Sequence, residues 1–214
     1  MMKWLLNIIY TSIGKKLMMA VTGLSFCFFL LIHLAGNLAV YGGKDAFNAH
    51  AERLHSLGLV ITISEYLLLL FAIIHILFGA TLFYENIVAR PVKYLVKKSA
   101  GGSSLGSATM PYTGFILLLF IVFHVFNFHF ADKTNQTIFQ ILASTFSRPG
   151  YVIIYVVAVL VAAIHISHGF WSAFQTIGAN HPKYMPFIRG AGLAYSMIIG
   201  TGFSCIPLYI LLVS

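Results

Sequence analysis

Five long apolar stretches, separated by shorter polar segments, dominate the pattern of the sequence. They cover Leu17–Tyr41, Leu59–Tyr84, Tyr112–Phe130, Tyr151–Phe174 and Gly190–Val213. A helix needs about 20 mostly apolar residues to cross the roughly 30 Å of hydrocarbon in a bilayer. The pattern therefore predicts an all-α integral membrane protein, built as a bundle of five transmembrane helices.

The composition agrees with a chain that lies in lipid. Of the 214 residues, 59% are apolar and only 8% are charged, whereas a soluble domain has about 25% charged residues. We therefore expect residues 1–214 to form a single membrane domain. The two cysteines, Cys27 and Cys205, lie inside apolar stretches and belong to no CxxCH or metal-ligand motif, which argues against covalent haem and iron–sulfur ligation.

The cations predict the orientation of the bundle. Nine of the 13 lysines and arginines lie in the N-terminal tail and in the second and fourth loops, on one side of the predicted helices. Because cytoplasmic loops carry an excess of Lys and Arg, we expect a cytoplasmic N-terminus and an external C-terminus. This topology also accounts for the net charge of +8, so we expect no nucleic-acid partner. The four cations of the second loop either contact anionic lipid or a soluble subunit, or act on topology alone.

Histidines lie deep in four of the five predicted helices. His33, His75, His124 and His165 are each surrounded by apolar sequence, one on each of the first four helices. Polar side chains at membrane depth are costly and usually face the interior of a bundle. A single such histidine is most often a hydrogen-bonded packing residue. Four of them favour haem ligation, another metal site or a proton relay.

The direction of the helices helps to separate these alternatives. Successive helices run in opposite directions, and each histidine lies past the midpoint of its own helix. His33 and His124 are therefore expected toward the outer face, and the other two toward the cytoplasm. Two pairs at two depths suit two haems, each held by histidines from facing helices. A relay or a metal transporter needs carboxylates or thiolates nearby, and Glu65 is the one carboxylate within a predicted helix.

Glycines accompany three of the histidines at helical spacing. Gly36, Gly79 and Gly169 each follow a histidine by three or four residues, so each shares a helix face with it. A missing side chain at these positions lets a flat macrocycle lie against the backbone. It equally lets two helices pack closely in a membrane, and both interpretations hold together.

Three longer motifs surround the histidines: SIGKKLMMAVTGLSFCFFLLIHLAGNL at Ser12–Leu38, HILFGATLFYENIVARPVKY at His75–Tyr94 and HISHGFWSAFQTIG at His165–Gly178. Together they resemble the membrane cytochrome b subunit of succinate dehydrogenase and fumarate reductase, of the single-polypeptide, five-helix, di-haem type. The resemblance implies two haem b groups, a menaquinone-type quinone as exchangeable substrate, and a place in the bacterial cytoplasmic membrane. It also implies a flavoprotein and an iron–sulfur subunit on the cytoplasmic side, so that this chain does no bond chemistry on succinate.

The resemblance further implies which histidines bind iron: His75 and His165 for the proximal haem, His33 and His124 for the distal haem. His168 then neighbours a haem without binding it, and His124 is preferred to His129 on the third helix. Where some relatives carry a glutamate proposed as a proton route, this chain has Ala163. The alternative function is a haem-free or differently partnered membrane anchor or transporter with structural histidines.

In similar proteins, quinone reacts near the distal haem with an acidic residue as proton acceptor. The first outer loop, DAFNAHAERLHSLG at Asp45–Gly58, offers Glu52, His50 and His55. Its spacing predicts a short interfacial helix. Glu65 is the other candidate, because a carboxylate within the membrane is energetically costly and commonly has a function. For each of these residues the alternative is a solvated position without chemistry.

Overall fold

The computed structural model describes residues 11–89 and 105–213, and this part of the chain is helical without strands. Its elements are α1 (Ser12–Asn37), a 3-10 helix (Leu38–Gly42), α2 (Gly43–Ser56), α3 (Leu59–Val88), α4 (Leu105–Phe128), α5 (Ile138–Phe146), α6 (Pro149–Thr176) and α7 (Met185–Val213). Five of them, α1, α3, α4, α6 and α7, are long and apolar enough to cross a membrane. The predicted five-helix, multi-pass membrane fold is confirmed. The cations predicted to mark the second loop lie outside the described residues.

Several helices extend beyond the apolar stretches that predicted them. The third spanning helix begins at Leu105 rather than Tyr112, and the fifth begins at Met185 rather than Gly190. An apolar stretch marks only the part of a helix in lipid, whereas the backbone hydrogen bonds continue into the interface. The first spanning helix instead ends at Asn37, before Tyr41, because the chain tightens into the 3-10 helix. It then turns at Gly43, whose φ of 86° favours glycine.

Two short helices, α2 and α5, pack against each other beside the C-terminal end of α1. The rings of Phe47 and Phe139 lie 6.3 Å apart, and the Asn48 side chain accepts a hydrogen bond from the Phe139 backbone N–H at 3.1 Å. The sequence predicts α2 but not α5. A capping box at Thr137 and Gln140 begins α5, so the signal for that helix was present in the sequence.

The four spanning helices that carry deep histidines form a closed ring. In the ring α1 packs against α3, α3 against α4, α4 against α6, and α6 against α1. Consequently α1 lies across the ring from α4, and α3 lies across it from α6. The fifth spanning helix, α7, packs outside the ring against α6 and α1. The tightest packing includes Ile199, Ile206 and Ile210 of α7, whereas α3 has no buried residue.

The start of α4 approaches α6 so closely that only glycine fits. A Cβ atom on Gly106 would lie 2.7 Å from the Cβ of His168. We expect Gly106→Ala to push the two helices apart and to lower the free energy of unfolding by about 1–3 kcal/mol, measured by thermal unfolding in detergent. Gly150→Ala is the control, because nothing lies within 4 Å of its added methyl group. Equal unfolding temperatures for wild type and Gly106→Ala would contradict this account of the α4–α6 contact.

Candidate functional site

The first histidine pair joins α1 to α4 and is called here the α1–α4 pair. The ring centroids of His33 and His124 lie 6.0 Å apart, with the ring planes at 87°. Two imidazoles that bind one iron at about 2 Å each have centroids about 6 Å apart, so this spacing fits one bis-histidine haem. Aromatic rings enclose the pair: Phe29 and Phe203 beside His33, and Phe120, Phe128 and Tyr155 beside His124.

The second pair, His75 and His165, joins α3 to α6 and is called the α3–α6 pair. The two histidines lie on helices that face each other across the ring. Each ring is hydrogen-bonded through Nδ1 to a threonine of a neighbouring helix: His75 to Thr22 of α1 at 2.9 Å, and His165 to Thr113 of α4 at 3.0 Å. Neutral imidazole nitrogen is a common axial ligand of haem iron. The donor atoms of both pairs therefore suit the group that the sequence predicts.

The two pairs lie at different levels of the ring of helices. Thr22, which marks the level of His75, precedes His33 by eleven residues on α1. Thr113, which marks the level of His165, precedes His124 by the same number on α4. At 1.5 Å per residue the levels are separated by roughly 16 Å. The structure thus brings His33 and His124 into contact and places His75 and His165 at one common level, as the helix directions predict.

The remaining predicted histidines of α4 and α6 have other neighbours. The Nδ1 atom of His129 lies 3.7 Å from a carboxylate oxygen of Glu65, and both side chains are half-exposed. The ring of His168 packs edge-on against Trp171 at 4.8 Å. The guanidinium of Arg189 lies 4.5 Å from the centroid of the same indole. Glu65 therefore has a partner in the turn that follows α4, and His168 lies where α6 meets α4.

The three glycines predicted beside a haem each face a side chain. A Cβ atom on Gly36 would lie 2.8 Å from Nε2 of His50 on α2. On Gly79 it would lie 3.4 Å from the terminal carbon of Met19, and on Gly169 it would lie 3.8 Å from that of Met110. Close packing of helices therefore accounts for Gly36, and flexible methionine side chains cover the other two.

An open cavity of about 580 Å³ lies at the end of the bundle where α2 and α5 pack. It is lined by Glu52 and His55 of α2, by the connection between α4 and α5, and by the start of α5. Nearby, hydrogen bonds from the Thr134 side chain and backbone hold the pKa of the Asp132 carboxyl below its usual value. Glu65, the third predicted quinone residue, is not among the side chains that line this cavity.

At the opposite end of the bundle, Lys15 of α1 forms an ion pair with Glu85 of α3. The lysine side chain is 10% exposed and the glutamate side chain 42%. The carboxylate of Glu85 thus neutralises the largely buried ammonium of Lys15. This pairing was not predicted, because the two residues are far apart in the sequence and Glu85 lies beyond its apolar stretch.

We expect Glu85→Ala to lower the free energy of unfolding by about 1–3 kcal/mol, because it leaves the buried ammonium of Lys15 without its acceptor. Thermal unfolding in detergent measures the effect. A double variant, Lys15→Met with Glu85→Leu, removes both charges and is expected to unfold close to the wild-type temperature. If Glu85→Ala alone unfolds like the wild type, the ion pair does not stabilise the α1–α3 contact.

Comparison with known proteins gives one relative and no wider family assignment. No protein-family model matches the chain, and no solved structure matches it. The chain is 28% identical over 155 residues to the succinate dehydrogenase cytochrome b558 subunit of Bacillus subtilis (strain 168), an alignment that covers 70% of this chain and 72% of the relative. This similarity confirms the resemblance to the membrane cytochrome b subunits of succinate dehydrogenase that the motifs around His33, His75 and His165 predict.

Proposed function

We propose that the chain is the di-haem cytochrome b membrane anchor of a succinate:quinone oxidoreductase in the bacterial cytoplasmic membrane. In this role it passes electrons between an iron–sulfur subunit on the cytoplasmic side and menaquinone or another quinone in the membrane. The chemistry on succinate or fumarate belongs to the flavoprotein partner. The name of the Bacillus relative supports the complex, and the histidine pairs support the cofactors.

The observation that carries this proposal is the placement of two facing histidine pairs, at two levels, in one ring of four helices. The α3–α6 pair is proposed to bind the proximal haem, and the α1–α4 pair the distal haem. When bound, the haems supply the one-electron steps between the partner's iron–sulfur centre and quinone. The histidines orient the iron, and the surrounding aromatic and aliphatic side chains exclude water from it.

The excess of cations at one end of the bundle supports the proposed orientation. The sequence assigns nine of its 13 cations to this end, and the described ones include Lys15 and Lys16 at the N-terminus of α1 and Lys183 in the α6–α7 connection. We place this end in the cytoplasm, where the two soluble subunits dock, and the C-terminus outside. Residues 1–214 act as one membrane domain in this proposal.

Quinone chemistry is proposed at the outer end, in the cavity beside α2. Reduction of a quinone to a quinol consumes two electrons and two protons, so the site needs groups that transfer protons. Glu52 and His55 both line the cavity, and carboxylate and imidazole are common proton-transfer groups. The α1–α4 pair lies nearest this end, because His33 is four residues from the end of α1.

Purification of the tagged chain from its native membranes, with the subunits that it retains, tests the proposed function. We expect a flavoprotein and an iron–sulfur subunit to co-purify, and succinate to reduce the haem absorbance of the complex. Formate and hydrogen serve as control reductants and are expected to leave the haem oxidised. Haem that is reduced by dithionite or formate but not by succinate would assign the chain to another oxidoreductase. A folded complex without haem would favour a haem-free anchor or transporter.

A further inference from the structure

A repeated sequence motif links the two histidine pairs. Thr22 and Gly23 are followed by nine residues and then by His33, in TGLSFCFFLLIH. Thr113 and Gly114 are likewise followed by nine residues and then by His124, in TGFILLLFIVFH. Each histidine of this motif belongs to the α1–α4 pair, whereas each threonine bonds a histidine of the α3–α6 pair. Each of the two helices, α1 and α4, thus contributes residues to both levels.

The hydrogen bonds of Thr22 determine which nitrogen of His75 carries the proton. The Thr22 hydroxyl lies 2.7 Å from the backbone oxygen of Met18 and donates its one proton there. It therefore accepts in its 2.9 Å contact with Nδ1 of His75, and this requires a proton on Nδ1. The unprotonated Nε2 of His75 is then the nitrogen with a free lone pair.

The hydrogen bonds of Thr113 fix the protonated nitrogen of His165 in the same way. Its hydroxyl lies 3.0 Å from the backbone oxygen of Thr109 and 3.1 Å from that of Met110, so its proton is directed to its own helix. The 3.0 Å contact with Nδ1 of His165 is then a bond that the threonine accepts. Thr22 and Thr113 are 1% and 7% exposed, so water does not compete for these bonds.

The glycine after each threonine leaves space for the same imidazole. A Cβ atom on Gly23 would lie 3.3 Å from Cε1 of His75, and one on Gly114 would lie 3.5 Å from Cε1 of His165. The first distance is shorter than an ordinary van der Waals contact, and the second is ordinary. Each Thr–Gly pair therefore contacts an imidazole at two adjacent atoms, Nδ1 and Cε1, and Nε2 lies more than 4 Å from either Cβ position.

We propose that the Thr22–Gly23 and Thr113–Gly114 pairs are positioning elements that hold His75 and His165 with Nδ1 protonated and Nε2 free to bind iron. This inference rests on the proposed function, since it concerns the ligands of the proximal haem. A hydrogen bond from Nδ1–H to a second group fixes the ring and raises the basicity of a ligating histidine. The α1–α4 pair lacks this Thr–Gly arrangement: Nδ1 of His124 is buried and has no hydrogen-bond partner among the described residues, and Nδ1 of His33 lies 3.5 Å from the side-chain nitrogen of Asn37.

Thr22→Val and Thr113→Val test the proposal in the purified complex, because valine keeps the shape and removes the acceptor. We expect each variant to weaken binding of the proximal haem by about 10-fold or more. We also expect its reduction potential to rise, since a less basic ligand stabilises oxidised iron less. The distal haem is expected to keep its potential and its electron paramagnetic resonance spectrum. Thr22→Ser restores the acceptor and is expected to restore the wild-type potential.

A third Thr–Gly dipeptide, Thr201–Gly202 on α7, provides the matched control. The Thr201 hydroxyl is exposed and donates to the backbone oxygen of Met197 at 2.7 Å, and Gly202 faces Leu34 rather than a histidine. Thr201→Val is expected to leave both haems unchanged. If the potential of the proximal haem shifts equally in Thr201→Val and Thr22→Val, the effect is not specific to the histidine contact and the proposal fails.

The glycines keep the proposal testable if a valine variant does not accumulate. Gly23→Ala is expected to turn the His75 ring and change the resonance spectrum of the proximal haem, whereas Gly150→Ala, which adds a methyl group with nothing within 4 Å, is expected to leave it unchanged. Wild-type spectra in both Gly23→Ala and Thr22→Val, with wild-type haem affinity and potential, would overturn the positioning role while the proposed function stands. A wild-type complex without haem would instead overturn the proposed function.

Discussion

Replacing His33 and His124 together by alanine is expected to remove one haem per chain, whereas replacing His33 and His75 together is expected to remove both. The reason is geometric, because each haem would be held by the two histidines of one level, and the two levels are separated by roughly 16 Å. The first double variant damages one level only, since His33 and His124 face each other at 6.0 Å. Pyridine haemochrome quantitation on the purified complex measures the haem count.

His129→Ala is the matched control for this prediction, since it removes a histidine from the turn directly after the helix of His124. His129 lies beside Glu65 in a half-exposed position, so we expect two haems in this variant. Retention of one haem by the His33→Ala, His75→Ala variant would contradict the pairing. So would loss of both haems from the His33→Ala, His124→Ala variant while the protein remains folded.

Glu52→Gln is expected to slow quinone reduction by about 100-fold or more, because it removes a proton-transfer group from the outer cavity. Succinate oxidation with a soluble artificial electron acceptor does not use that cavity and is expected to continue at the wild-type rate. The haem content is also expected to remain unchanged. Steady-state assays with a water-soluble quinone analogue and with the artificial acceptor give the two rates.

Glu65→Gln tests which of the two candidate carboxylates, Glu52 or Glu65, transfers protons to quinone. Glu65 interacts with His129 and does not line the cavity, so we expect its variant to reduce quinone at close to the wild-type rate. The opposite result, a slow Glu65→Gln and a normal Glu52→Gln, would move the proposed quinone site from the α2 cavity to the face shared by α3 and α4.

The sequence predicts the membrane helices and the depth of the histidines for a simple physical reason. Lipid requires an uninterrupted apolar stretch for each crossing, and a fixed rise per residue converts a position in that stretch into a depth. His33 and His124 could therefore be matched by their depths alone. The predicted helix ends were less accurate. For example, α4 begins at Leu105 and not at Tyr112, because it includes Gly and Ser residues that by themselves favour a loop.

The contacts between helices were not predictable in the same way. Thr22 and His75 are 53 positions apart, and Thr113 and His165 are 52 apart. A threonine in an apolar helix commonly bonds its own backbone, so nothing local distinguishes Thr22 from Thr201. Only the repeat of Thr–Gly, nine residues and histidine on α1 and α4 carries a signal. The Lys15–Glu85 pair has no comparable pattern in the sequence.

A reduced-minus-oxidised spectrum of the wild-type complex, with pyridine haemochrome quantitation, tests the central claim most directly. Four histidines in two facing pairs predict two haem b groups per chain. A folded complex that contains this chain and no haem would contradict the electron-transfer function and would leave the histidines as packing residues of the bundle.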